Sequence, residues 1–305
     1  MRKYVFVINP AAGQGGHNEP LGRDIPRAFE GKPYDIYRTS GPGDAMKFVM
    51  EYPRDGSVCF VSCGGDGTLS ETATGLMNRN KDHTGGEPDC LSCLPCGSGN
   101  DFIRNFTSSP EPWTPANLQN PYTTVIDVYR VNGRYGCNIC NFGFDARVAS
   151  DMVRFKRWKG VSGSAAYNLA VVSSLLRPLG QRYTIHVDGQ ALPPETLLLG
   201  VAANGTSYGG GFTPAPMAQT GDGRLEFIFI RKMSRLTIGA FIGAYKRGTH
   251  LTEPKMIPYI AAASGQTMEI TSDKPITYSI DGDVFSSDKL TVELIPSALN
   301  FLLPR

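Results

Sequence analysis

The sequence predicts an α/β domain with a largely parallel sheet over residues 1–123. A β-sandwich domain follows over 124–305, its last residues able to rejoin the first domain. Strand and helix signals alternate through the first third, the pattern of a sheet with crossover helices. Beyond it, short apolar runs are punctuated by turn dipeptides, the texture of an antiparallel sandwich. The 305 residues leave room for two domains at about 100–200 residues each.

Residues 4–8 are a continuous apolar run that breaks at Asn9-Pro10-Ala11-Ala12-Gly13 and the following Gln14-Gly15-Gly16. A helix is expected over 21–29, a strand at 34–38, a helix near 45–51 and a strand at 57–63. Gly64-Gly65-Asp66-Gly67 then turns the chain into a helix over 68–77. A fourth strand, 90–94, closes with Pro95-Cys96-Gly97-Ser98-Gly99-Asn100-Asp101. After a proline-rich stretch at 109–121, strands are expected at 124–130, 135–141, 184–187, 196–203, 224–230, 266–271, 276–280 and 289–294. Asn132-Gly133, Asp188-Gly189 and Asp281-Gly282 supply turns, and helices are expected over 163–176 and 236–247.

Composition narrows the function. Thirty basic against 28 acidic residues leave a net charge of +2, too even to nominate nucleic acid as partner. No apolar stretch reaches the roughly 18–20 residues of a membrane span. The N-terminal apolar run is too short for a secretory leader, so a cytoplasmic location is expected. Seven cysteines, an odd count in a long chain, fit free thiols better than a disulfide framework. Cys90-x-x-Cys93-x-x-Cys96 and Cys137-x-x-Cys140 have zinc-ligand spacing, but within a strand residues three apart face opposite sides. Buried thiols are the expectation. Arg154, Phe155, Lys156, Arg157, Trp158 and Lys159 form a basic-aromatic segment suited to either solvent or a membrane surface.

Three glycine loops follow strand ends of one predicted sheet and should converge at its carboxyl edge. Glycine lets the backbone approach phosphate oxygens, and helix-start amides supply donors and a positive dipole end. None matches Walker A or GxGxxG. Asp66 is the unusual member, since a carboxylate beside a phosphate needs a cation or a hydroxyl between them.

Taken in order, these motifs resemble the diacylglycerol kinase catalytic-domain family, which includes bacterial soluble lipid kinases and the sphingosine and ceramide kinases. The resemblance rests on Asn9, Pro10 and Gly13, on Gly64-Gly65-Asp66-Gly67-Thr68 with Glu71, and on Pro95, Gly97, Ser98, Asn100 and Asp101. It continues with Gly143-Phe144-Asp145-Ala146, Asn204-Gly205, Tyr208-Gly209-Gly210-Gly211, Asp222-Gly223 and Asp281-Gly282-Asp283. It implies an ATP- and Mg²⁺-dependent lipid kinase with its active site between the domains, diacylglycerol the first acceptor, at a membrane surface and able to form a homodimer. Asn9, Pro10, Ala11, Ala12, Gly13, Thr39, Gly64, Gly65, Asp66, Gly67, Thr68, Glu71, Gly97, Ser98, Asn100 and Asp101 take the ATP-site positions. Asp283 takes the general base, with Asp281 and Asp127 as neighbouring carboxylates. Asp222 and the Arg224 carbonyl take a structural Mg²⁺ site. Three positions depart from the pattern. Asp283 stands where bacterial members usually carry Glu, Ser164 or Ala165 where some carry Lys, and Gln219 where a second metal carboxylate can occur. The alternatives are a sphingoid base, a soluble polyol or NAD as acceptor, or a nucleotide- or lipid-binding regulator without turnover.

Overall fold

Burial on both sides is what a central parallel strand requires, and Lys3–Ile8 (β1) is buried at every position after its first. In the computed structural model, which describes residues 2–13, 20–54, 56–81, 88–106, 113–155, 158 and 163–305, β1 lies between two parallel partners. These are Tyr34–Arg38 (β2) and Val58–Gly64 (β3). Cys90–Pro95 (β4) pairs in parallel with β3. Leu21–Ala28 (α1), Asp44–Glu51 (α2) and Asp66–Asn80 (α3) make the connections. Parallel direction sends the ends of β1, β3 and β4, each followed by a glycine loop, to one edge of the sheet.

The remaining strands are Tyr122–Val131 (β5), Arg134–Gly136 (β6), Ile139–Gly143 (β7), Gln181–Val187 (β8), Gln190–Ala191 (β9), Glu195–Ala203 (β10) and Leu225–Arg231 (β11). Ile260–Gly265 (β12), Thr267–Ile280 (β13) and Asp283–Leu303 (β14) complete them. Their pairing runs antiparallel in the order β12-β11-β10-β7-β13-β14, around a core that includes Tyr129, Phe142, Tyr183, Phe227, Phe229 and Tyr278. Phe144–Phe155 (α4), Gly163–Leu176 (α5) and Arg235–Arg247 (α6) cover a second cluster built on Ile139, Leu198, Val201 and Ile228. β14 joins the two halves: it pairs with β13, then with β5, and Phe301 meets Leu91 of β4 in parallel. Among the described residues no helix is long and apolar enough to cross a membrane.

Several elements differ from the sequence expectation for local reasons. The run 135–141 is two strands, because the amides of Cys137 and Asn138 turn toward Asp281. The runs 266–271 and 276–280 are one strand with an irregularity between Thr271 and Ile276. β14 is far longer than 289–294, since Ser286, Ser287 and Asp288 hide its start behind a polar face. β12 is Ile-Ala-Ala-Ala-Ser-Gly, a sequence of low strand propensity that, among the described residues, pairs only with β11. α4 buries Phe144, Val148, Asp151 and Phe155, a helical spacing that was present in the sequence and passed over.

Strand alternation explains the cysteines. Cys93 packs with Val5, Phe60 and Leu91 on one side of the parallel sheet, while Cys90 joins Phe6, Cys59 and Phe29 on the other. Burial pushes the Cys93 thiol well above its ordinary pKa and that of Cys96 to about 11. Neutral thiols on opposite faces cannot close on one tetrahedral ion. Joint replacement of Cys90 by Ala, Cys93 by Val and Cys96 by Ser should cost about 1–3 kcal/mol in urea unfolding. The wild-type chain should carry no stoichiometric zinc by elemental analysis; one zinc per chain, lost with folding in the triple variant, would overturn the strand argument.

Candidate active site

The glycine loops touch backbone to backbone. A Cβ added to Gly97 would lie 2.4 Å from the Gly65 Cα, and one on Gly64 would lie 2.4 Å from Thr68 Oγ1. Any side chain at Gly97 would push the second and third loops apart. Asn9 fastens the first loop to the second: its Nδ2 donates to Thr68 Oγ1 at 3.0 Å, and its Oδ1 accepts the Ala11 N–H at 3.0 Å. Pro10, Ala11, Gly13, Gly67 and Ser98 are exposed at this edge, Ala12 is half-buried, and the Thr39 N–H donates to Ile8 at 2.9 Å. Asn100, in the left-handed region at φ 50°, closes on Gly97 in both directions, accepting from its N–H at 2.9 Å and donating to its carbonyl at 2.8 Å. It shapes the third loop from within. Gln14, Gly15 and Gly16 lie outside the described residues, as do Lys156, Arg157, Lys159 and the Ser164 side chain.

Two carboxylates stand at the junction. Asp66 opens α3, where the helix dipole favours negative charge, and its Oδ1 accepts the Phe102 N–H at 3.0 Å. Asp101 accepts the Gly210 N–H at 2.8 Å and has Arg104 Nε 3.3 Å from its Oδ1. Burial, with the Asp66 charge adding to it, raises the Asp101 carboxyl above its ordinary pKa. Arg104 also reaches Gly99 O at 3.4 Å and lies beside Gly211. It is a half-exposed cation between loops of the two halves, which sequence reading missed although it sits three residues past Asp101. Glu71, expected at the nucleotide, accepts the Gly43 N–H at 2.8 Å and so holds the start of α2 against α3.

The three candidate catalytic carboxylates separate sharply. Asp281, at φ 47° in a tight turn, accepts from Tyr129 Oη at 2.6 Å and from the amides of Cys137, Asn138 and Ile139 at 2.7, 3.0 and 2.9 Å. Asp127 accepts the Gly223 N–H at 2.8 Å and the Ser297 N–H at 2.6 Å. Both have their oxygens committed to holding the chain. Asp283, the first residue of β14, is exposed. Its pKa is raised by partial desolvation, then by the Glu71 carboxylate of α3, with Arg134 opposing. Arg134, on β6, stacks its guanidinium 4.4 Å from the Phe285 ring centroid, and Phe285 shares a strand face with Asp283. Arg134 too was missed, because only the fold brings β6 beside the start of β14.

The residues at the expected metal position do not fit a resident magnesium ion. Asp222 is exposed and already accepts the Arg224 N–H at 3.1 Å, and Gln219 is exposed and carries no charge. Mg²⁺ demands near-octahedral hard oxygen ligation, and no group of three or more His, Cys, Asp or Glu side chains gathers to hold a metal among the described residues.

The distal motifs pack against the third glycine loop. Asn204 Nδ2 donates to the carbonyls of Asp127 and Cys137 at 2.9 and 2.7 Å, and Asn138 Nδ2 to Ser207 O at 2.8 Å. Asn105, just past the third loop, accepts the Thr206 N–H at 2.8 Å. Together these fix Tyr208-Gly209-Gly210-Gly211 against Asp101. Asp145 accepts from the Tyr208 hydroxyl, and burial pushes its carboxyl up to about 6, opposed by Tyr208 and Tyr245.

Asp66→Ala should lower nucleotide-dependent turnover by about two orders of magnitude or more. Losing the Phe102 contact should cost only about 1 kcal/mol of stability. Near-native turnover in the folded variant would remove this loop from the site.

Residues 3–131 match the diacylglycerol kinase catalytic domain, and residues 138–303 match the YegS C-terminal NAD kinase beta sandwich-like domain. A protein named probable lipid kinase YegS-like from Klebsiella pneumoniae (strain 342) is 28% identical over 293 residues, covering 95% of this chain and 93% of that protein. A crystal structure of a diacylglycerol kinase from Bacillus anthracis str. Sterne superposes with a TM-score of 0.66 at 20% identity, covering 99% of this chain and 96% of that one. That likeness is one of fold.

Proposed function

The chain belongs to the YegS and diacylglycerol kinase family of lipid kinases, and from that premise we propose that it transfers the γ-phosphoryl group of ATP to a lipid hydroxyl, with diacylglycerol the first acceptor. The observation that carries the proposal is the meeting of Gly65 and Gly97 at the start of α3, with Arg104 reaching the Gly99 carbonyl of the third loop and the accessible carboxylate of Asp283 near Glu71 of the same helix.

Phosphoryl transfer asks for positioning, charge neutralisation and a base. Loop amides at 13, 65–68 and 98–99 and the positive end of α3 would receive the phosphates, with ATP entering as its magnesium complex, a substrate. Arg104 supplies cationic charge where the glycine loops meet. Asp283 accepts the acceptor's proton as the lipid oxygen bonds to the γ-phosphorus and the bond to the ADP oxygen breaks. Asp281 and Asp127 keep the turn and the neighbouring strands in place without touching substrate. Arg134, opposite Glu71, keeps Asp283 more available as a base than burial alone would allow.

ATP consumption measured against dispersed diacylglycerol, a sphingoid base, a soluble polyol and NAD tests the proposal. Diacylglycerol should give the highest kcat/KM. Turnover confined to NAD or the polyol would refute the lipid acceptor, and none with any acceptor would leave a regulator that binds without turnover.

A further inference from the structure

A cavity of about 40 Å³ opens where the end of β7 and the first turn of α4 meet β8, β10 and β13. Gly143, Arg147, Gly180, Gln181, Tyr183 and Thr277 line it, and no acidic side chain does so among the described residues. Arg147 is its cation. The Arg147 Nη1 donates to Pro178 O at 3.0 Å, while the Nε is buried and has no hydrogen-bond partner among the described residues. A buried guanidinium N–H without an acceptor is costly, and folded proteins rarely keep one. The carboxylates nearby are committed elsewhere. Asp151 pairs with Arg177 at 3.1 Å, and Asp145, in the first turn of α4, accepts from the Tyr208 hydroxyl. Burial first, then the Arg177 charge, lower the Arg147 pKa, with Tyr183 and Asp151 opposing. A third cation, the exposed Lys232, stands beside Gly180.

We propose that this cavity is a binding site for a small oxyanion, a phosphate or carboxylate group that accepts from Arg147. The ligand supplies the negative charge that the cavity's own side chains do not. Its size fits that class: one water needs roughly 10–15 Å³, so there is room for a group of about three to five heavy atoms and not for a nucleotide. The rigid fork of a guanidinium matches carboxylate and phosphate oxygens. Tyr183 and Thr277 add hydroxyl groups to the lining, and Gly143 and Phe144 bring the positive end of α4 to it. The site stands apart from the proposed chemistry. Gly143 lies four residues along β7 from Ile139, whose N–H donates to Asp281, a path of about 13 Å at the usual strand rise. β7 and β13, paired at Phe142 and Tyr278, run from the cavity to the turn before Asp283. The inference does not depend on the kinase reading.

Titration calorimetry of the full chain with inorganic phosphate and with acetate tests it, the glycine loops first filled with a non-hydrolysable ATP analogue and Mg²⁺. Wild type should bind at least one of the two anions. Arg147→Gln should weaken that binding by about tenfold or more, and Arg147→Lys should recover part of it. Thr277→Asp places a carboxylate on the cavity wall and should abolish anion binding with Arg147 intact, so the test survives if Arg147→Gln folds poorly. Dioctanoyl phosphatidic acid, below its micelle concentration, separates the sources of the ligand. Affinity above that of phosphate, lost in Arg147→Gln, identifies a phospholipid headgroup, whereas affinity equal to that of phosphate identifies a free anion. A wild-type chain that binds neither phosphate nor acetate would overturn the proposal. Equal anion affinity in wild type, Arg147→Gln and Thr277→Asp would do the same.

Discussion

Asp283→Asn should lower kcat by about two to four orders of magnitude, the usual contribution of a general base, with little change in the KM for ATP. The amide keeps the size of the carboxylate and loses its basicity, so the defect falls on the chemical step. Asp283→Glu should retain substantial activity, since its longer carboxylate can still reach the acceptor from the start of β14. The pH profile gives an independent check. Desolvation and Glu71 raise the Asp283 pKa, so activity should fall as pH drops through a value higher than that of an ordinary aspartate. Glu71→Gln removes a like charge and should move that acid limb to lower pH. Arg134→Gln removes the opposing cation and should move it to higher pH. A limb that ignores both substitutions would assign the base to another group.

Asp281→Ala should instead unfold the protein more easily, by about 3–5 kcal/mol, the scale for removing one member of a buried charged network. Tyr129 Oη and the amides of Cys137, Asn138 and Ile139 all aim at this carboxylate. Its loss leaves four donors without their acceptor and frees the turn that presents Asp283. Asp281→Asn should be nearly as damaging, because an amide NH2 would face backbone N–H groups. Urea unfolding reads the effect directly. A variant at Asp281 that is as stable as wild type but inactive would make Asp281 the chemical residue and Asp283 its support.

The contrast between these two aspartates marks where the sequence was legible. The glycine loops could be read because each function needs a residue type at a strand end: a Cβ at Gly97 collides with Gly65 whatever surrounds it. The parallel arrangement of β1, β3 and β4 followed from apolar runs alternating with helices. Asp283 and Asp281, two residues apart in one turn, are ranked as base and neighbour by the family resemblance alone. Their roles are set by amides at 137–139 and by charges on α3 and β6, all distant in the chain. Asp127 was assigned beside the base for the same reason, and the structure commits it to Gly223 and Ser297. Glu71 and Asn100 belong to a recognisable motif, yet their side chains close loops through Gly43 and Gly97. Arg104 and Arg134 carried no motif signal, because a single arginine acquires meaning only from what the fold sets beside it. The first half of β14 escaped notice because one of its faces is polar, although its end ties the two halves together.

The most direct measurement of the central claim is mass spectrometry of the lipid fraction after incubation with γ-labelled ATP and dispersed diacylglycerol, wild type beside Asp283→Asn. The account predicts labelled phosphatidic acid in equal amount to the ATP consumed by wild type, and almost none from the variant. Label recovered only as inorganic phosphate or on a soluble acceptor, or labelled lipid formed equally by both proteins, would contradict it.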